Sequence, residues 1–160
     1  MTPLRAFPRM RAAAFAALLA FACAVHAAAL PNVFDPARDA AADVAAAAAQ
    51  AQREGKRVLV DVGGEWCSWC HILDRFFAAD AEARALRERA FVMVKVNYSP
   101  ANRNETLLAR WPRIRGYPHL FVLAPDGTLL HSQDTGELEA GKGYDRAKVL
   151  AFLRAWAPRS

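Results

Sequence analysis

Short, nearly continuous apolar runs alternate along the chain with segments whose apolar residues recur at helical spacing. The two clearest runs are Arg57–Val62 and Phe91–Val96, and runs of this length are typical of strands buried on both faces. Residues 119–123 and 128–131 flank Pro125-Asp126-Gly127, whose turn-forming residues predict a β-hairpin. The pattern therefore predicts four strands.

Helical periodicity fills the segments around these strands. Asp35 and Pro36 predict the start of a helix over residues 37–53, because Asp caps free amide groups and Pro suits the first helical position. This helix is rich in Ala and has only a thin apolar stripe, so we expect it to be a lightly packed surface helix. Further helices are predicted after Cys70, from Asp80 to Ala90, over residues 105–111 and after Asp145.

The order of these elements predicts the fold class. Two strands separated by helices form a parallel pair, and the hairpin extends that pair with antiparallel strands. Helices then cover both faces of a mixed sheet. The expected architecture is a three-layer α/β/α sandwich.

The beginning of the chain has the three-part layout of a secretory signal peptide. Three basic residues precede an apolar run and a group of small residues: Arg5, Arg9, Arg11, Ala12–Val25 and Ala27–Ala29. We expect cleavage after Ala27, with Ala29 as the second choice. Residues 1–27 are then the predicted signal peptide, residues 34–158 the predicted domain, and the mature protein is expected to be periplasmic or secreted without stable membrane insertion.

Two other interpretations of this segment stay open. An uncleaved membrane anchor is one, although the run of about 14 apolar residues is shorter than the ~20 that span a bilayer as a helix. Lipidation of Cys23 is the other, although Ala20-Phe21-Ala22 lacks the Leu that usually precedes a lipidated cysteine.

Charge and cysteine content both change when the predicted signal is removed. The net charge of +5 falls to +2, because the signal holds three basic residues and no acidic ones. No run of Lys and Arg interleaved with aromatic residues remains, so no nucleic-acid partner is expected. Cys23 is also removed, and the two remaining cysteines, Cys67 and Cys70, allow a single disulfide in an oxidising compartment.

Cys67 and Cys70 lie where a predicted strand runs into a predicted helix. One helical turn places residues at this spacing on the same face, close enough for a disulfide to form and open. Cys67, at the helix N-terminus, would have its thiolate stabilised by free amide groups and the helix dipole, and would be the attacking sulfur. Cys70 would then be the more buried, resolving thiol.

Two plainer interpretations of the pair are half of a zinc site and a purely structural disulfide. A zinc site needs two further ligands, and the mature chain offers only His71, His119 and His131 without a second spaced pair. A structural disulfide that closes so small a loop removes little entropy from the unfolded chain.

The sequence resembles the thioredoxin superfamily in three segments that occur in the family's order. These segments are Val58–Asp61, Glu65–Cys70 and Arg113–Pro118, and the resemblance extends over about residues 34–158. Small secreted members are the most similar, such as the anterior gradient proteins and the thioredoxin-like domain of the bacterial transmembrane disulfide reductant.

The resemblance implies roles for individual residues. Asp61 matches the family's buried acid, which relays a proton for the resolving cysteine. Pro118 matches the cis-proline that presents a backbone edge to substrate, and Trp66 matches the aromatic residue that shields the site. Tyr117, which precedes that proline, is expected to contact substrate with them. A solvent-facing Asp61 and an ordinary trans Pro118 are the alternatives.

Four positions depart from the common thioredoxin pattern. Ser68 and Trp69 replace Gly-Pro between the cysteines, a position that tunes redox potential in the family. His71 and His119 stand where thioredoxins usually have Lys and Thr. These four residues are candidate modulators of the redox potential and the thiol pKa values. The alternative is that Trp69 only packs against its neighbours and that the histidines are solvated residues at the ends of a helix or strand.

The expected function is thiol-disulfide exchange between Cys67-Cys70 and the cysteines of exported proteins, in a direction that the sequence leaves open. Expected partners are protein thiols or disulfides and an unidentified redox protein. No cofactor besides the redox-active disulfide and no metal is expected, and we expect a monomer. The alternatives are a binding module for extended client segments and a metal or cytochrome assembly factor.

Overall fold

The computed structural model describes Leu30 and residues 32–159. The predicted signal peptide, its cleavage sites and Cys23 lie outside these residues. The domain bounds of 34–158 stay a prediction. Within the described part, no helix is long and apolar enough to cross a membrane.

Five α-helices and six strands make up the described chain. The helices are α1 (Ala40–Glu54), α2 (Ser68–Ala79), α3 (Ala81–Ala90), α4 (Glu105–Leu108) and α5 (Arg146–Ala155). The strands are β1 (Arg57–Gly63), β2 (Phe91–Asn97), β3 (His119–Leu123), β4 (Leu129–Asp134), β5 (Glu139–Ala140) and β6 (Gly143–Tyr144).

The main sheet has the strand order β2-β1-β3-β4. β1 is central, because it pairs in parallel with β2 and antiparallel with β3, and β4 returns antiparallel beside β3. In this register Asp61 of β1 lies between Lys95 of β2 and Leu120 of β3. The predicted mixed sheet and hairpin are confirmed.

Side chains on the two faces of the sheet form two apolar cores. Leu59, Leu120 and Val122 face α2, α3 and α5. Alternate strand residues such as Val60 and Phe121 face α1 on the opposite side. Helices therefore cover both faces, and the predicted three-layer α/β/α sandwich of the thioredoxin type is confirmed.

The first helix begins later and packs more tightly than the sequence pattern predicts. Its N-cap is Asp39, whose side chain accepts a hydrogen bond from Ala42 N, whereas Asp35 forms a turn with Ala37. The predicted start at Asp35-Pro36 is wrong, because a second Asp nearby offers the same capping chemistry. Ala47 and Ala51 are fully buried, so the small side chains let α1 lie close to the sheet.

Two other regions differ from the expected pattern. The short helix predicted over residues 105–111 ends at Leu108, four residues before the exposed Pro112. The glycine-containing stretch after β4, expected to be a loop, forms a 3-10 helix at Thr135–Leu138 and a small β5-β6 hairpin. This hairpin packs against α2 and carries Tyr144.

Substitution at the two competing cap positions tests the observed helix start. Asp39→Ala should lower the free energy of unfolding by about 1 kcal/mol, because the amide of Ala42 loses its acceptor. Asp35→Ala, the matched control, should change it by less than about 0.5 kcal/mol. Urea unfolding followed by circular dichroism measures both values, and an equal or larger loss at Asp35 would contradict the assignment of the cap.

Candidate functional site

Cys67 and Cys70 form a disulfide at the N-terminus of α2, with their Cα atoms 5.3 Å apart. Cys67 is the N-cap of this helix, and its Sγ accepts a hydrogen bond of 3.1 Å from the backbone N–H of Cys70. Cys67 keeps 4% of its surface exposed and Cys70 none. The outer sulfur therefore lies at the positive end of the helix dipole and the inner one lies in the core.

The end of β1 passes directly beneath the disulfide. A Cβ atom at Gly63 would collide with Sγ of Cys70 and would press against the ring of Phe34. Only a glycine leaves room for the sulfur at this point, because any side chain would occupy its position. The close approach fixes Cys70 against the strand that carries Asp61.

Asp61 is completely buried on β1, on the sheet face that α2 covers. Among the residues that the structure describes, neither of its carboxylate oxygens has a hydrogen-bond partner. The nearest cation is Lys95, whose Nζ is 3.7 Å from Asp61 Oδ2 and 2.7 Å from both carboxylate oxygens of Asp74 on α2. Asp74 thus holds the ammonium group closely, and Asp61 receives only a longer-range attraction.

This environment shifts the protonation of Asp61 toward neutral pH. Burial is the largest cause and raises the pKa of Asp61 to about 7, because a carboxylate loses its hydration in the core. Lys95 lowers the pKa, but by less than burial raises it. Asp61 can therefore change its protonation state in the pH range in which cysteine thiols also titrate.

Phe34, from the segment before α1, covers this part of the site. Its ring packs against Cys67 and Cys70, and the Nζ of Lys95 lies 4.2 Å from the ring centroid. Its backbone N–H donates a hydrogen bond of 3.1 Å to Glu65 Oε1. Phe34 therefore separates Cys70 and Lys95 from solvent.

Aromatic side chains surround the exposed side of the disulfide. Trp66 is 57% exposed, and its Nε1–H donates to the backbone oxygen of Tyr98. Tyr117 meets Trp66 edge to face at 5.6 Å, stacks on Tyr98 at 4.9 Å and packs against the cysteines. The Tyr117-Pro118 peptide bond is cis, and Thr135 Oγ1 donates a hydrogen bond to the oxygen of Pro118. Trp66, Tyr117 and Pro118 are therefore brought together beside the cysteines.

The two residues between the cysteines occupy different surroundings. Ser68 is exposed, and Trp69 is half-buried. The ring of Trp69 packs edge to face on Tyr144 of the β5-β6 hairpin at 5.7 Å. Trp69 therefore connects the disulfide helix to that hairpin.

The two candidate histidines are held by different contacts. His71 donates from Nε2 to the backbone oxygen of Glu65 at 2.9 Å. His119, at the start of β3, is 4% exposed, and its Nε2 lies 2.8 Å from Ser132 Oγ. Burial lowers the pKa of His119, which favours the neutral imidazole. His71 thus braces the loop before Cys67, and His119 lies next to Pro118.

The sequence pattern missed four contributors to the site: Phe34, Asp74, Lys95 and Tyr98. Lys95 gave a usable signal, because a lysine within an apolar buried strand needs a buried acid nearby. Asp61 occupies the matching position on the neighbouring strand. Phe34 and Tyr98 gave no such signal, since a single aromatic residue in a loop has no periodicity.

No group of three or more His, Cys, Asp and Glu side chains is arranged to hold a metal ion in the part of the chain that the structure describes.

Comparisons with known proteins relate this geometry to disulfide chemistry. A sequence model of the family described as thioredoxin-like matches residues 39–125, more than half of the chain. The thiol:disulfide interchange protein DsbD of Pseudomonas fluorescens Pf-5 is 30% identical over 117 residues, which are 72% of this chain and 18% of that protein. The chain thus spans about a fifth of the length of this relative.

Two solved structures share the fold. The disulphide isomerase from Xylella fastidiosa Temecula1 superposes with a TM-score of 0.66 and 27% identity, over 79% of this chain and 96% of the other. The C-terminal domain of Neisseria meningitidis DsbD, in its oxidised form, has a TM-score of 0.52 and 20% identity, over 79% and 99% of the two chains. The chain is therefore a thioredoxin-fold protein similar to disulfide oxidoreductases.

The buried carboxyl group predicts how stability depends on pH. The pKa of Asp61 is about 7 in the folded state and near 3.9 in the unfolded state. Between these two pH values, the folded state keeps a proton that the unfolded state has already lost. Wild-type stability should therefore fall as pH rises through this window. The free energy of unfolding of Asp61→Asn, relative to that of wild type, should therefore rise by roughly 2 to 3 kcal/mol from pH 5 to pH 8.

Urea unfolding of both oxidised proteins across this pH range measures the difference. Asp126→Asn, in the turn at the other end of β3, is a matched control, because its carboxylate is not buried in the core. A difference between Asp61→Asn and wild type that is the same at every pH would contradict the raised pKa.

Proposed function

This chain belongs to the thioredoxin-like family, and from that membership we propose that it exchanges its Cys67-Cys70 disulfide with the cysteines of exported proteins. The observation that carries the proposal is a disulfide at a helix N-terminus, packed on a strand that holds a buried carboxyl group. This carboxyl group has no hydrogen-bond partner within residues 32–159 or at Leu30. The similarity to the disulphide isomerase and to DsbD supports the same chemistry.

The proposed reaction begins with the reduced protein. The Cys67 thiolate attacks one sulfur of a client disulfide, a bond forms between Cys67 and that sulfur, and the other client sulfur leaves as a thiolate. Cys70 then loses its proton and attacks Cys67 Sγ, and the first client sulfur leaves as a second thiolate. Two electrons pass to the client, the proton of Cys70 and one proton from solvent convert its thiolates to thiols, and the Cys67-Cys70 bond forms. The reverse sequence oxidises a client dithiol.

The two cysteines have different surroundings that suit these two roles. Cys67 caps α2, where free amide groups and the helix dipole stabilise a thiolate and lower the cost of its attack. Cys70 is fully buried, so its thiolate needs a base that removes the proton within the core.

Asp61 is the proposed base for Cys70. Its carboxyl group is buried on the strand against which Cys70 packs, and a pKa near 7 lets it accept a proton and release it again at neutral pH. Lys95 stabilises the ionised form, and Asp74 keeps that lysine in place. Asp61 would thus act as the proton relay of the resolving step.

Clients are proposed to bind along the aromatic side of the disulfide. Trp66 and Tyr117 offer exposed ring surface there, and the backbone next to Pro118 can pair with an extended client segment. Four further residues surround the cysteines and are proposed to modulate the Cys67-Cys70 redox couple: Ser68, Trp69, His71 and His119. Net direction depends on the reduction potential of Cys67-Cys70 relative to that of the partner, which equilibration with a glutathione buffer measures.

We place this activity in the periplasm or another oxidising compartment. Support comes from the signal-like layout before residue 28. The mass of the protein recovered from the periplasmic fraction reports whether residues 1–27 are removed.

Replacement of the resolving cysteine tests the proposed nucleophile. Cys70→Ala should accumulate a mixed disulfide between Cys67 and client proteins, because the second attack cannot occur. Non-reducing electrophoresis and mass spectrometry detect the adducts. The Cys67→Ser/Cys70→Ala double variant is the matched control and should form none. An absence of adducts from Cys70→Ala, under conditions in which a related oxidoreductase forms them, would exclude Cys67 as the nucleophile.

Replacement of the buried acid tests the proposed relay. Asp61→Asn should slow insulin disulfide reduction at pH 7 about 10- to 100-fold, because no buried base remains to take the proton of Cys70. The rate should also lose its inflection near pH 7. Asp126→Asn should leave the reduction rate and its inflection unchanged. If the rate of Asp61→Asn follows the wild-type pH profile from pH 6 to 9, Asp61 has no part in the mechanism.

A further inference from the structure

A groove of about 520 Å³ continues from the disulfide site along the segment between β2 and β3. Half-buried apolar side chains form its floor: Tyr98, Leu108, Trp111, Ile114 and Tyr117. We call it the aromatic groove. Tyr117 belongs to both places, because it packs against Cys67 and Cys70 and also lines the groove. The groove is therefore an extension of the proposed client surface.

The rim of the aromatic groove carries uncompensated positive charge. Arg113 lines the groove, and Arg115 is two residues further along the same loop. Both are exposed, and neither forms an ion pair within the described residues. Glu105, the acidic residue of the lining, is already paired with Arg103 at 3.6 Å. The net field at this rim attracts negative charge.

From this arrangement we propose that the aromatic groove selects clients whose reactive cysteine is flanked by an apolar side chain and by acidic residues. The inference rests on the proposed disulfide exchange and names the substrate class for the same site. The apolar side chain would contact the floor of the groove, and client carboxylates would face Arg113 and Arg115. Because Tyr117 packs against the cysteines and also lines the groove, and an extended chain advances about 3.3 Å per residue, the apolar residue would lie within a few residues of the cysteine.

The two parts of the groove should have separable effects. The exposed arginines act mainly on the rate of encounter, because rim charges steer association and are screened by salt. The apolar floor should slow the dissociation of the segment, since the contact removes nonpolar surface from water. Acidic clients should therefore lose their advantage at high ionic strength, whereas the benefit of an apolar residue should persist.

Model peptides with one cysteine, blocked as a mixed disulfide with a coloured aromatic thiol, test the proposal. Attack by Cys67 on the peptide sulfur releases the coloured thiolate, and Cys70 then releases the peptide thiol. Each peptide carries Phe or Ala three residues before or after the cysteine. Two Glu or two Lys residues follow beyond that Phe or Ala. At low ionic strength the Phe-Glu peptide should react about tenfold faster than the Phe-Lys peptide.

Variants assign the preference to the groove. Arg113→Glu/Arg115→Glu should abolish or invert the preference for acidic peptides, and Ile114→Ala should reduce the advantage of Phe over Ala about threefold. Arg53→Glu/Arg89→Glu changes the net charge by the same amount at exposed positions on α1 and α3, and should keep the preference. Equal rates for acidic and basic peptides, or a preference that survives reversal of Arg113 and Arg115, would overturn the proposal.

A binding measurement separates this inference from the exchange reaction. Peptides with Ser in place of Cys cannot react, so shifts in the amide NMR signals of residues 98–117 report binding alone. Binding that favours the acidic peptide, without release of thiolate from any peptide, would support the groove and contradict the exchange. Thiolate release from all peptides at one rate, without selective binding, would support the exchange and overturn the groove.

Discussion

The burial of the Asp61 carboxyl group is the constraint on which the rest of the site depends. A carboxylate without hydrogen-bond donors is costly in a protein core, so its charge must be balanced at a distance or removed by protonation. Here both occur. Lys95 lies 3.7 Å away, within ion-pair range and beyond hydrogen-bond range, and the pKa of Asp61 rises to about 7. The group is therefore able to exchange a proton at neutral pH.

The position of Lys95 results from competition between two carboxylates. Asp74 is partly exposed and binds the ammonium group at 2.7 Å, whereas the buried Asp61 accepts no hydrogen bond from it. A shorter contact to Asp61 would keep that acid ionised and would weaken it in its proposed role as a base for Cys70. Phe34 closes the site from the other side and keeps solvent from the lysine and the cysteines.

The outer part of the site has the opposite character. The rings of Trp66, Tyr98 and Tyr117 meet at the surface beside the disulfide, and exposed arginines follow along the loop. In the proposed mechanism, proton transfer and client recognition thus use different faces of the same helix terminus. A buried relay requires a dry environment, whereas recognition requires surface that a partner can cover.

The sequence by itself determined the fold class and the pairing of the two cysteines at the head of a helix. Apolar runs and turn residues predicted the four main strands, and the spacing of Cys67 and Cys70 at a strand-helix junction predicted a disulfide, because local periodicity and local spacing are properties of the chain alone. The tertiary structure decided what no local pattern contains. It selected Asp39 over Asp35 as the helix cap and placed Lys95 beside Asp61 through strand register. It also brought Phe34 to the cysteines and Tyr98 to Trp66 and Tyr117. Contacts between residues distant in the chain arise only when strands pair and helices pack, so the surroundings of the two sulfurs became visible only in the folded protein.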